Sequence, residues 1–377
     1  MSNAKANTRE LGMLVTLCAV AAYFYWANPA FLSARNLSQL AIELSATAVL
    51  GLGMLLIILP GHIDLSVGSG LGLFGAVAAV LVFNHGWAAP WALLAATASA
   101  TFTYFVMGWL IMRERMPAFI ITLGGLLVLK GLHWLVIDSH TVPVTVGGED
   151  NLYSLLTTSY LPKPAGYVVV LAASLMFGTT AWMNLQRRRE QNLRVNTELT
   201  FLQWFAATQA LALVVLVMNA YRGLPMALVL LAVAATVVHV LTKHTRFGRY
   251  LYAIGGNEQA SVIAGIATGR TVMVAFATVG VFVALAGFLQ TAFAGASTTT
   301  TGQLMELDAI AACVIGGTSL KGGRGTVVGV LFGAVIMAVL LNGMTLLAVT
   351  PERKFIARGV VLALAVWMDV RLSRRQA

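Results

Sequence analysis

Apolar runs near the length of a membrane span recur from one end of this chain to the other, and no other feature limits its fold so severely. They lie near 11–27, 40–59, 67–83, 91–112, 119–137, 167–184, 201–218, 225–241, 272–290, 305–318, 325–348 and 355–369. An α-helix crosses the bilayer core with roughly 20 apolar residues. Composition points the same way. Of 377 residues, 59% are hydrophobic and 10% charged, and the mean hydropathy is +0.84. A soluble domain carries about 25% charged residues, so this chain has too few to coat a water-facing surface. No long β-type alternation supports a barrel. The expected fold is an all-α integral membrane protein with about 10–12 transmembrane helices. Residues 1–377 form a single polytopic domain in this reading; the runs near 67, 305 and 355 are short, and the Gly-rich ends of the first two suggest broken or re-entrant helices.

The first run leads into YFYWANP with no small-residue cleavage site, so it reads as a retained helix whose aromatic end forms an interface belt. Cys18 and Cys313 lie in separate apolar runs. They read as small buried hydrophobes, with no disulfide or metal framework. The net charge of +10 is informative by location. With the N-terminus inside and the spans alternating, 17 of the 24 Lys and Arg residues fall on one side and six on the other, with Lys130 inside a span. That asymmetry places both termini in the cytoplasm. The basic residues form no stripe on a long polar segment, so no nucleic-acid partner is expected.

Nucleotide and hydrolytic motifs do not occur. The nearest decoy for a phosphate loop is GGTSLKGGRGT at 316–326, where Lys321 follows Leu320 rather than the required Gly and no strand precedes it. HExxH, CxxC and GxSxG patterns are lacking, so no catalytic residue and no metal ligand is assigned.

Two regions instead share a pattern. Residues 51–81 run from an apolar helix through GHIDLSVGSG into LGLFGAVAAVL. Residues 307–340 run from LDAIAACVI through GGTSLKGGRG into TVVGVLFGAVIMAVL. LFGAVAAVL and LFGAVIMAVL nearly repeat, so the two regions form a pseudo-repeat. Interrupted apolar segments in corresponding positions of two halves point to a transport pathway. Their unpaired backbone groups are tolerated at membrane depth only where protein or a water-filled cavity satisfies them. Asp64, Ser66, Asp308, Thr318 and Ser319 are the candidates to line or gate the path. Asp64 or Ser66 also reads as a cap on the following helix, a role compatible with gating. His62 reads as a packed or interfacial histidine. Glu43 and Glu306 are the other acids in or near apolar runs, Glu43 opening its span; an intramembrane acid is a functional candidate by default.

The basic loop 241–270 is more structured than a connector needs to be. Gly255-Gly256 breaks the chain, Asn257 is placed to N-cap, and EQASVIAGI forms a short helix with Glu258 in its first turn. Val262, Ile263 and Ile266 make one apolar side, suited to a partner's groove.

GHIDLSVGSG, FGRYLYAIGGNEQASVIAGI and ELDAIAACVIGGTSLKGGRGTVVG, in that order and spacing, resemble the membrane permease of bacterial ABC sugar importers of the ribose, galactose and xylose group. The resemblance runs through most of the chain, and the ending VLALAVWMD fits it. Extra material around 160–220, two spans about a basic loop, looks like the xylose type. His62 departs from the small or acidic residue that relatives often carry there.

The resemblance implies a transport subunit of the cytoplasmic (inner) membrane that is not itself an enzyme and translocates a monosaccharide, D-xylose or a related pentose. It implies partners: two cytoplasmic ABC ATPase subunits, a second permease chain forming a homodimer, and a periplasmic or lipid-anchored sugar-binding protein. ATP and Mg²⁺ then belong to the ATPase, and this chain binds no cofactor. Gly255, Gly256, Asn257 and Glu258 open the helix that would seat on the ATPase. The rival reading is an ion-coupled secondary carrier of a small polar solute.

Overall fold

The computed structural model describes residues 2–191 and 195–374. Arg194 and Arg375, two of the basic residues behind the orientation argument, lie outside them. Fifteen α-helices follow along the described chain. They are α1 (Ser2–Ala27), α2 (Ala34–Ile58), α3 (Val67–Phe83), α4 (Ala89–Arg113), α5 (Ala118–Val136), α6 (Leu152–Thr158), α7 (Lys163–Glu190) and α8 (Thr197–Asn219). After these come α9 (Met226–His244), α10 (Arg246–Gly256), α11 (Glu258–Ile263), α12 (Thr268–Ala294), α13 (Met305–Ile315), α14 (Val327–Leu346) and α15 (Pro351–Arg374).

Every one of the twelve apolar runs is occupied by a helix. Eight of these helices are long and apolar enough to cross a membrane, while Gly12–Ala27 and Val67–Phe83 are apolar but shorter. The run at 305–318 holds only the 11 residues of α13, because the chain turns at Gly316. α15 starts with the charged sequence PERK, four residues ahead of its apolar run.

Burial follows from patterning. α2 is apolar all round, and such a helix belongs in the interior. Nearly all of it from Asn36 to Ile58 is buried, packed by α9, α12, α13 and α14. Asn36 and Asn342 are buried polar exceptions that satisfy each other: the Asn36 amide donates to Asn342 Oδ1 at 2.8 Å and receives a bond back at 3.3 Å. α12 is the second core helix, lying against α2, α3 and α4. Gly108 and Gly280 let α4 and α12 approach closely; a Cβ on Gly108 would lie 2.8 Å from Phe276 Cβ, and one on Gly280 2.7 Å from Ala100 O. Close crossing through small residues is the usual way membrane helices pack.

α7 and α8 form a hairpin whose outward faces are largely exposed apolar side chains, among them Leu171, Trp182, Phe201 and Leu213. Cys313 is buried as expected, its thiol donating to Gly51 O at 3.3 Å. Cys18 instead lies on the outer face of α1, because only the opposite side of that helix packs, on α14.

The connection 138–166 is not a free loop. Two-residue antiparallel ladders join Val142–Pro143 to Ala296–Ser297 and Tyr160–Leu161 to Leu224–Pro225. Between them α6 begins with a capping box of Asn151 and Ser154. It inserts a fully buried Tyr153, which donates to Gly75 O at 2.8 Å and meets Phe288 edge to face.

Candidate functional site: two broken helices and a polar cavity

The two regions of the pseudo-repeat both fold as helix, break, helix: α2, 59–66, α3 and α13, 316–326, α14. The breaks touch. Gly323 N–H donates to Leu59 O at 2.9 Å, closing one break on the other. α10 joins them. A Cβ on Gly322 would lie 2.8 Å from Gly255 Cα and 2.9 Å from Gly61 N, and a Cβ on Gly255 would collide with Leu59 O and Gly323 N. Three backbones meet where no side chain fits. The Tyr252 hydroxyl adds a bond to Gly325 O at 2.8 Å.

In the first break Asp64 ties down the residue just before α3. Its Oδ1 accepts from Ser66 N–H at 2.7 Å and from the Ser66 hydroxyl at 2.6 Å. Ser66 occupies the position before α3 but caps none of its N–H groups with its side chain. The Tyr104 hydroxyl, in the middle of α4, lies 3.2 Å from Ser66 Oγ. Asp64, Ser66 and Tyr104 are all fully buried, and Asp64 Oδ2 has no hydrogen-bond partner. Gly68, next along α3, lies so close to Glu306 Oε2 and Gly302 O that a Cβ there would overlap them. His62 is half-buried with its ring 6.4 Å from that of Phe276.

In the second break Thr318 and Ser319 shape the backbone. Ser319 N–H donates to Arg324 O at 2.9 Å, and Ser319 Oγ accepts from Lys321 N–H at 3.3 Å. Thr318 is buried with Oγ1 unpartnered, close beside Gly325. Thr326 then caps α14 through Gly329 N–H at 3.1 Å.

Asp308 stands apart from both breaks. It pairs with Arg358 at 3.1 Å, and both line a cavity of about 240 Å³ with Glu43, Gln290, Gln303 and Thr301. None of Asp64, Ser66, Thr318 and Ser319 reaches this cavity. The five path candidates therefore fall in three places. Glu43 was expected at the start of its span, and Gln290, Thr301, Gln303 and the cavity role of Arg358 escaped the reading of the sequence. Glu43 does not open its span: α2 begins at Ala34, so Glu43 lies more than two turns inside it, facing Asn342, Lys354 and Arg358. Arg358 served only as an orientation charge, although a lone cation within FIARGVVLALAVW was the available signal.

On the remaining side of the junction, Asn257 ends α10 and caps α11, its Oδ1 accepting from Ala260 N–H at 2.9 Å. Gly255 and Gly256 do not break the chain; they complete the last turn of α10, whose carbonyls remain in helical register until Asn257 turns to extended geometry. Glu258 is exposed in the first turn of α11, Val262 is 55% and Ile263 87% exposed, and Ile266 is half-buried. Among the described residues no group of His, Cys, Asp and Glu is arranged to hold a metal ion.

Comparison with known proteins places this arrangement. Residues 36–366 match the family model described as branched-chain amino acid transport system / permease component. The xylose transport system permease protein of Haemophilus influenzae is 39% identical over 98% of both chains. That of Escherichia coli K12 is 36% identical over 98% of this chain and 93% of its own length. The ribose import permease protein of Escherichia coli K12 is 32% identical over 97% of this chain and 95% of its own. No solved structure matches significantly. Matched by the family model through both broken helices and aligned end to end with these relatives, the chain belongs to the family of multi-pass membrane permease components described as branched-chain amino acid transport system / permease component.

Proposed function

We propose that this chain is the membrane subunit of an ATP-driven importer that carries a monosaccharide, D-xylose or a related pentose, across the cytoplasmic membrane. The observation that carries the reading is the end-to-end similarity to xylose permeases at 36–39% identity, above the 32% to ribose permeases. Both termini and the α10–α11 connection lie in the cytoplasm, on the side that takes most of the basic residues. A cytoplasmic ABC ATPase binds ATP and Mg²⁺ and hydrolyses the nucleotide. An external sugar-binding protein delivers the pentose, and a second copy of the permease completes the passage.

In this reading α11 is the helix that seats on the ATPase. Its exposed Val262 and Ile263 suit a hydrophobic groove better than water. The glycine junction connects that contact to the pathway: α10, which leads into α11, touches both breaks directly at Gly255. A displacement of α11 driven by nucleotide binding is therefore delivered to the ends of α2 and of the 316–326 turn with no flexible side chain between.

Vesicles reconstituted with the permease, its ATPase and its binding protein test the proposal. Pentose uptake should need internal-face ATP and persist when ion gradients are collapsed. Uptake driven by a sodium or proton gradient without ATP would establish the secondary carrier instead.

A further inference from the structure

The cavity between α2, α12, α13, α14 and α15 contains more polar chemistry than packing requires. Glu43, Gln290, Gln303, Asp308 and Arg358 converge on it. Asp308 is 2% exposed, yet its Oδ1 has no hydrogen-bond partner, and Arg358 Nε is also unpartnered. Buried polar groups ordinarily find partners, and those that do not need an explanation. The Asp308–Arg358 pair uses one carboxylate oxygen and one guanidinium nitrogen, leaving an acceptor and a donor at the same place.

We propose that this cavity is a transient binding station for the pentose on its way through the permease. The inference rests on the function proposed above. A pentose is neutral and presents several hydroxyls, each able to donate and accept. The cavity answers with carboxylate acceptors at Glu43 and Asp308, donors at Arg358, and the two-way amides of Gln290 and Gln303. Its charges nearly cancel, since Glu43 and Asp308 face Arg358 and Lys354 stands near Glu43, which disfavours an anion or a cation as the occupant. Its volume of about 240 Å³ suits a single sugar ring rather than a disaccharide. The cavity has no aromatic wall on which the ring could stack. Hydrogen bonds without a stacking platform hold a sugar weakly, as a site of passage must. Specific capture then belongs to the external binding protein.

Saturation-transfer NMR of D-xylose with the full chain in nanodiscs reads the station directly. Gln303→Leu is the test variant, because Gln303 is exposed at the cavity and its replacement leaves the buried core intact. The wild type should transfer saturation to the sugar, and Gln303→Leu should weaken apparent affinity by up to about tenfold, the scale of one hydrogen bond. An unchanged signal in the variant, or no signal from the wild type at millimolar sugar, overturns the station. Labelled-pentose uptake by cells supplying the ATPase and binding protein separates this from the reading beneath. Wild-type uptake unaltered by Gln303→Leu overturns the station and leaves the importer standing. Absence of any wild-type pentose uptake overturns the importer itself.

Discussion

The two breaks answer the same physical problem in different ways. Each interrupts a helix inside an apolar bundle, where backbone groups without partners cost several kcal/mol in lipid. In 59–66 backbone bonds from Gly61 N–H to Ile58 O and from His62 N–H to Ile57 O close the end of α2, and a carboxylate finishes the break: Asp64 reaches forward two residues and accepts both the N–H and the hydroxyl of Ser66. In 316–326 a glycine turn resolves it together with hydroxyls: Ser319 N–H pairs with Arg324 O across Gly322 at φ +87° and Gly323 at φ +75°, while Ser319 Oγ accepts from Lys321 N–H and Thr326 Oγ1 from Gly329 N–H. The carboxylate tie is a local device, made by residues two apart. A glycine turn is thin, and that thinness lets α10 and Leu59 press against it. α10 touches both breaks at Gly255, and they differ in what holds each one: the Asp64 carboxylate in the first, a glycine turn in the second.

Crowding the second break should do the most damage. Gly322→Val places a branched side chain at positive φ against Gly255 and Gly61, and should cost about 3 kcal/mol or more through strain and overpacking. Thermal unfolding of the detergent-solubilised chain, followed by size exclusion, should show a large loss; a wild-type profile would mean that the three backbones are not in contact.

Asp64 sharpens the other side of the comparison. Asp64→Leu leaves Ser66 N–H and Oγ without an acceptor and should cost about 1–3 kcal/mol, with strong loss of transport. Asp64→Asn keeps an oxygen within reach of Ser66 and should cost well under half of that. If Asn also abolishes uptake in a well-assembled protein, the charge itself serves transport; normal uptake by the Leu variant removes Asp64 from both roles.

A smaller effect is expected at the exit of the second break. Thr326→Ala deletes the cap on Gly329 N–H and should cost about 1 kcal/mol. Thr326→Ser should restore most of it, and failure of Ser to do so would place the contribution in the methyl group. The smallest stability effects belong to α11. Ile263→Ser and Glu258→Arg alter exposed positions and should shift stability by no more than about 0.5 kcal/mol. Both should nevertheless uncouple sugar-stimulated ATP hydrolysis in the reconstituted complex. Wild-type coupling in both variants would remove α11 from the ATPase contact.

Much of this protein was determined locally. Each of the twelve apolar runs is a helix because main-chain hydrogen bonds inside a bilayer must be satisfied within the segment, which makes hydrophobicity and helicity nearly one signal. Asn257 caps α11 because a cap involves residues two or three apart, and such spacing is visible in the string; Asp64 binds Ser66 N–H one residue ahead of α3 rather than an N–H of the helix. Tertiary structure decided what depends on residues far apart. Gly255 and Gly256 looked like a break and proved to be a helix end, with Gly255 needed slim by two distant backbones. Glu43, Asp308 and Arg358 come from three helices, and no local pattern announces that they share a cavity. Tyr153 bonds Gly75 O and meets Phe288, contacts across long stretches of chain that no local pattern shows. Periodicity and capping act over a single turn of chain, whereas a cavity or a junction exists only once the packing of several helices has fixed which faces meet.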